Sequence, residues 1–178
     1  LEISTRSILL KDLITFTRAV TGRPELFIAE TSIKKGHVVA NIKVNFDENG
    51  NIKQDYIFKA TLKDGKIKLL KNYSLEKINF LLNVTSNLFT FDEISFSANK
   101  VDFFSDGFTV IQNEKDFLFE GNIENKDSVL NKELIKLLNL NFQKFNILNT
   151  NFSSKNKFSF SLDRKLKIKN LAIDSEIQ

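Results

Sequence analysis

The 178-residue chain contains no cysteine, no methionine and no tryptophan. Without cysteine it has no disulfides and no thiolate metal sites, though this alone does not identify a compartment. It has a single histidine, His37. With no second histidine at ligand spacing, neither a zinc site nor a histidine-centred catalytic group has a ligand set. His37 reads as a solvated turn residue following Gly36. The six glycines are spread along the chain rather than clustered. No GxGxxG or GxxxxGKS/T phosphate loop is present, and neither GxSxG nor HExxH occurs. No apolar run approaches the ~18 residues that a membrane helix needs. The nearest, Ser7 to Val20, is interrupted by Lys11, Asp12 and Arg18. A chain that starts at Leu1 and lacks methionine reads as a segment of a longer protein, which leaves an upstream signal or anchor open.

Charge is balanced: 26 basic and 22 acidic residues give a net charge of +4. The basic residues fall singly or in pairs, as at Lys34-Lys35 and Arg164-Lys165. Nucleic-acid binders concentrate positive charge on one stripe, so no nucleic-acid partner is expected. The carboxylate pairs Asp47-Glu48 and Asp92-Glu93 are sequence neighbours on a turn and at an irregularity. Glycosidase chemistry needs two carboxylates that converge across a cleft. The chain is therefore expected not to be an enzyme and to need no cofactor.

What the chain does have is phenylalanine: 18 Phe in a sequence that is 42% hydrophobic. That is enough apolar material for a full domain, and it must enter a core, an interface or a ligand groove. Its distribution is informative. Ser7 can cap a helix over about residues 7–21, with Leu9, Leu10, Leu13, Ile14, Phe16 and Val20 at helical spacing. Gly22-Arg23-Pro24 then stops it.

From about residue 25 the period changes to two. Leu26-Phe27-Ile28-Ala29 reads as a strand leading to a turn at Lys35-Gly36, and Val38-Ala40-Ile42-Val44-Phe46 alternates cleanly. Asn49-Gly50 follows, then Tyr56-Phe58-Ala60-Leu62, then Asp64-Gly65. Asn-Gly and Asp-Gly between alternating runs signal tight hairpin turns, because both central residues need positive φ. The alternation continues through Phe80, Leu82 and Val84, then Phe89 and Phe91, then Ile94 and Phe96. Val101-Phe103 and Phe108-Val110 flank Asp106-Gly107. Phe117, Phe119, Gly121 and Ile123 share a face. A short second helix is expected at about 132–138. Two strands then close the chain within 151–177, carrying Phe158, Phe160 and Leu162, then Leu166 and Ile168, then Leu171 and Ile173.

The apolar phase slips by one residue at Asp92-Glu93 and again at Lys169-Asn170. A slip flips every later side chain unless an extra residue is absorbed, so both points are candidate bulges. They occupy matching places in a weak internal repeat spaced by about 77 residues. Repeated hairpin units suggest an elongated sheet that adds strands serially. The expected fold is mainly β, a single module over 1–178. It is an antiparallel meander over about 25–125, extended by the closing strands into a curved, groove-like sheet, with one N-terminal helix and the short second helix. The same alternation also suits a closed sandwich, in which it would be consumed by an internal core.

Ile78-Asn79-Phe80-Leu81-Leu82-Asn83-Val84, Phe91-Asp92-Glu93-Ile94-Ser95-Phe96-Ser97, Phe104-Ser105-Asp106 and Phe119-Glu120-Gly121-Asn122-Ile123, with the closing Lys167-Ile168-Lys169-Asn170-Leu171-Ala172-Ile173-Asp174-Ser175, resemble the AsmA-like family of Gram-negative envelope proteins (TamB and YhdP relatives). The resemblance covers roughly Tyr56 to Gln178 and rests on pattern, so it carries over no catalytic or binding position. It implies an inner-membrane-anchored, periplasm-spanning parent that carries phospholipid toward the outer membrane in a β-groove. Membrane contact would be made by other parts of that parent. On this reading the groove lining is Phe80, Leu82, Val84, Phe89, Phe91, Ile94, Phe96, Phe117, Phe119, Ile123, Phe158, Phe160, Leu162, Leu166, Ile168, Leu171 and Ile173. The alternative is a structural or protein-interaction β-sandwich module of an envelope or surface protein.

Overall fold

The computed structural model describes residues 1–21, 26–51, 53, 56–70, 73–129, 151–163, 165 and 167–178. The first strands are β1 (Glu2–Ser4) and β2 (Ile8–Leu9), followed by the helices α1 (Leu10–Thr21) and α2 (Leu26–Ser32). Eight long strands follow: β3 (Ile33–Lys43), β4 (Ile57–Leu70), β5 (Tyr73–Thr85), β6 (Leu88–Ala98), β7 (Val101–Gln112), β8 (Asp116–Val129), β9 (Asn151–Asp163) and β10 (Ile168–Ile177). Every pairing is antiparallel. From β3 to β10 each strand pairs with its sequence neighbours, so the sheet is an open, curved meander, with β1 and β2 both laid along β3. The long strands have 10 to 14 residues, or roughly 35–45 Å of extended chain.

The N-terminal helix is present but begins at Leu10. Ser7 is not its cap, because Ile8 and Leu9 are drawn into the sheet opposite Val38 and His37. The run Leu26-Phe27-Ile28-Ala29 is helical rather than extended. Four apolar residues in a row carry no period that separates helix from strand. Here a tertiary contact holds the helix, since the Glu30 carboxylate accepts hydrogen bonds from the Arg18 guanidinium (2.7 Å) and the Thr15 hydroxyl (3.0 Å) on α1. The expected helix at 132–138 lies outside the described residues. No helix among the described residues is long and apolar enough to cross a membrane.

Asn49-Gly50 does turn the chain, with Gly50 at φ +83° and its amide bonded to the Asp47 carbonyl. Three other expected turns lie inside strands. Gly36 is within β3, Asp64-Gly65 within β4 and Asp106-Gly107 within β7, and His37 is accordingly an exposed strand residue. Gly36 at φ +143° and Asp64 at φ +53° sit where the β3–β4 and β4–β5 registers shift. Lys77 (φ +51°) and Glu93 (φ +51°) do the same in the β5–β6 ladder. These residues form a row of bulges across neighbouring strands, which increases twist and bends a sheet without ending its strands. Space is also tight at Gly65, where a Cβ would lie 3.0 Å from both Ile78 Cβ and Leu62 Cδ2. The tight turns fall elsewhere. At Asn99-Lys100 both residues have positive φ (49° and 66°) and the pair Ala98–Val101 closes the hairpin, as a type I′ turn requires.

The tightest packing is at one end of the sheet. Val38, Leu62 and Ile78 are buried, with Leu62 only 1% exposed. Leu10 and Leu13 of α1 pack onto them together with Ile8, Leu75, Phe80 and Phe96. The helix therefore covers the β3–β5 end of one face.

Candidate functional site

Residues directly opposite each other in an antiparallel ladder point to the same side of the sheet, so the registers give each face row by row. One row runs Ile42, Phe58, Val84, Phe89, Val110, Phe119 and Phe160 from β3 to β9. The next runs Ala40, Ala60, Leu82, Phe91, Phe108, Gly121 and Phe158 and ends at Ile173 on β10. Neither row contains a polar side chain. Phe117 and Leu162 extend the same face on β8 and β9, with Ile168 beside them on β10.

The phase slips resolve as expected. Glu93 and Asn170 both take positive φ (51° and 53°), and the register shifts between Lys169 and Ala172. Ile168 and Ile173 therefore oppose Leu162 and Phe158, which face the same way. Ile94 is buried, and Phe96 packs with the Val38–Leu62–Ile78 cluster on the apolar side. The expected lining residues on β5, β6, β8, β9 and β10 thus gather on one face, Ile123 included. Leu166 lies outside the described residues.

The aromatic rings on this face touch in sequence. Phe80 meets Phe91 edge-on (5.3 Å between centroids), and Phe91 stacks on Phe108 (4.5 Å). Phe108 approaches Phe158 (6.2 Å), Phe158 approaches Phe160 (6.0 Å), and Phe160 stacks on Phe119 (4.7 Å). The result is one aromatic track from β5 to β9. Phe108 and Phe158 meet across β8 only because Gly121 stands between them. A Cβ on Gly121 would lie 2.2 Å from the Phe108 Cβ and 2.8 Å from its Cα.

Val84 and Ile94 are buried, most of the Phe and Leu side chains in the rows are half-buried, and Ile168, Leu171 and Ile173 on β10 are 57–61% exposed. Phe58 and Phe108, with the buried Val110, Ala40 and Ala60, lie on the same face but were absent from the expected lining. Their alternation was visible in the sequence. What was missing was the register that sets them opposite the others.

Farther along β8 and β9 the same face gives way to polar groups that satisfy one another. The Asn156 amide donates to the Ile123 carbonyl (3.2 Å) and the Ser154 hydroxyl (3.0 Å). The buried Asn125 side chain donates to the Phe152 carbonyl (3.2 Å) and accepts from Ser154. On the opposite face the row Asn41, Lys59, Asn83, Thr90, Thr109, Glu120 and Ser159 is entirely polar, while the next row carries Ile57, Leu88, Ile111 and Leu118. A hollow of about 490 Å³ lies beside Lys59, Thr61, Asn83 and Asp92, and another of about 450 Å³ beside Ser74, Glu76, Ser97 and Asp102.

The carboxylates with the clearest electrostatic setting are structural. The backbone N–H and side-chain amide of Asn51 hold the Asp47 carboxyl below the ordinary carboxylate range, and Asp47 thereby organises the turn. A hydrogen bond from Lys35 lowers Asp64 at the β3–β4 bulge, and one from Lys66 lowers Glu76. Among the described residues no cluster of three or more His, Cys, Asp or Glu side chains could hold a metal ion. No family model, no curated protein and no solved structure matches this chain.

Proposed function

We propose that the chain is a non-enzymatic lipid-carrying module, whose apolar sheet face takes the acyl chains of phospholipid. It would work in the periplasm, within an inner-membrane-anchored protein of the AsmA-like kind that passes lipid between the inner and outer membranes. The observation that carries this reading is the pair of apolar rows running from β3 to β9 without a polar side chain. Six inter-strand steps of ~4.8 Å make such a row about 29 Å long. One leaflet's acyl chain spans about half of the ~30 Å hydrocarbon core, so the row is longer than one chain. Transfer of each CH₂ from water to such a surface contributes ~0.8 kcal/mol, and binding needs no polar anchor. Headgroup discrimination is therefore weak on this reading. The sandwich alternative requires a second sheet over the same rows, and the described strands belong to one sheet.

Native mass spectrometry of the purified chain tests the proposal. Phospholipid should co-purify with the wild type and be lost from Phe119→Glu and Phe160→Glu, both with a near-normal melting temperature. Burying a carboxylate among acyl chains is costly, whereas the lipid-free face leaves it hydrated. Ser159→Glu, on the polar face, should keep the lipid. Lipid-free wild-type protein at high recovery, or unfolding of both Phe variants, overturns the reading.

A further inference from the structure

Along β4 to β7, many polar side chains satisfy one another. Lys66 pairs with Glu76 (2.7 Å), Asn79 donates to Ser95 (3.1 Å), and Ser97 donates to Asp102. The hollow of about 490 Å³ on the face opposite the apolar rows is different. Lys59, Thr61, Asn83 and Asp92 line it, and none of the four makes a side-chain hydrogen bond or ion pair among the described residues. The Asn83 Oδ1 is buried, and no group donates to it. A buried acceptor without a donor is destabilising, so folding alone gives no reason for an asparagine at this place.

The four residues stand on the interior strands β4, β5 and β6, each paired on both sides. Lys59 lies directly opposite Asn83, and Thr61 lies opposite Leu81, which in turn lies opposite Asp92. All of them therefore point to one side. Lys59 and Asp92 are two strands and two residues apart, roughly 12 Å between Cα atoms. Gly107 faces Asp92 and brings no side chain; a Cβ there would lie 3.2 Å from the Asp92 Oδ1. Leu81 and Val39, the latter 48% exposed, give the same hollow an apolar patch.

We propose that this hollow binds a disaccharide unit. Sugar hydroxyls both donate and accept, which suits a lining with acceptors at Asn83 and Asp92 and donors at Lys59 and Thr61. The terminal torsion of asparagine is broad, so a turn about it brings Oδ1 to the hollow, where a hydroxyl donates to it. The C–H face of a pyranose ring lies against Leu81 and Val39. The volume falls in the range of small-molecule sites. The spacing of Lys59 and Asp92 favours an extended ligand over a compact anion, and a single carboxylate offers too few oxygens for a cation such as calcium.

Amide NMR of the isotope-labelled full chain, titrated with maltose, cellobiose and chitobiose, tests this. The apolar face takes no part, so the outcome does not depend on lipid binding. At least one sugar should shift the amides of β4 to β6 around Asn83 saturably and leave those of β9 in place. Asn83→Leu removes the orphaned acceptor. It should keep or raise the melting temperature, yet weaken that sugar roughly tenfold or more. Lys59→Ala and Asp92→Ala should each weaken it several-fold. No response to any of these sugars, the same shifts from sodium phosphate or glycine, or unchanged sugar affinity in Asn83→Leu overturns the proposal. If Asn83→Leu fails to fold, the Lys59→Ala and Asp92→Ala affinities decide, and wild-type binding in both overturns it.

Discussion

Phe119 and Phe160 lie stacked across the β8–β9 ladder, with ring centroids 4.7 Å apart and planes 6° from parallel. Both rings are half-buried, so each gains stacking and part of its area but leaves no closed cavity when removed. Phe160→Ala should therefore cost about 1–2 kcal/mol. Leu62→Ala, at a site 1% exposed, should cost about 2–5 kcal/mol. Urea denaturation of the two variants compares them, and a larger loss at Phe160 would mean that the ring sits in a closed core.

Gly121→Ala places a methyl 2.2 Å from the Phe108 Cβ and 2.8 Å from its Cα. The contact is with backbone-proximal atoms that no rotamer change can move away. The variant should lose about 3 kcal/mol or more and separate the Phe108 and Phe158 rings. Gly50→Ala meets open space, and only its φ of +83° opposes it, so it should lose about 1 kcal/mol. Equal losses at the two sites, measured by thermal unfolding, would contradict this packing.

Glu93 absorbs one residue so that Ile94 and Phe96 return to the apolar side. Glu93→Gly relieves an L-residue held at φ +51° and should be neutral or stabilise by up to about 1 kcal/mol. Deleting Glu93 should be far worse, because Ile94 and Phe96 would then turn to the polar face. A deletion variant with wild-type stability would show that the bulge does not set the phase.

The β9–β10 connection should loosen in acid. A hydrogen bond from the Lys167 backbone N–H and another from the Lys169 side chain hold the Asp163 carboxyl below the ordinary carboxylate range, and the Lys165 N–H adds to this. A group whose folded pKa is depressed contributes stability that is present above its unfolded pKa and lost as pH falls toward the folded one. The window therefore lies below about pH 4. Amide protection at Lys165 and Lys167, with rates corrected for the intrinsic pH dependence of exchange, should fall there in the wild type. Asp163→Ala should show fast exchange already at neutral pH. A pH-independent wild-type profile through that window would rule out this role for Asp163.

Much of the fold was legible because a half-buried strand must alternate. Phe80-x-Leu82-x-Val84 and Phe158-x-Phe160-x-Leu162 revealed strands and their apolar side, and the phase slips located the bulges at Glu93 and Asn170. Lys35-Gly36, Asp64-Gly65 and Asp106-Gly107 were misread as turns for a definite reason. Turns and bulges make overlapping local demands, chiefly positive φ or the absence of a Cβ, and the local sequence does not say whether the strand resumes in the same direction. In this chain it resumes at all three points. The real turn at Asn99-Lys100 uses no glycine and gave a weaker signal.

The sequence by itself determined which side chains are apolar, that they alternate, and where the alternation skips a residue, because these depend only on neighbours along the chain. The tertiary structure decided the register: that Phe91 stacks on Phe108, that Gly121 lets Phe108 approach Phe158, and that Leu26–Ser32 is helical through Glu30 and Arg18. Those outcomes depend on contacts between residues far apart in the chain, whose hydrogen-bonding and packing energies have no local trace.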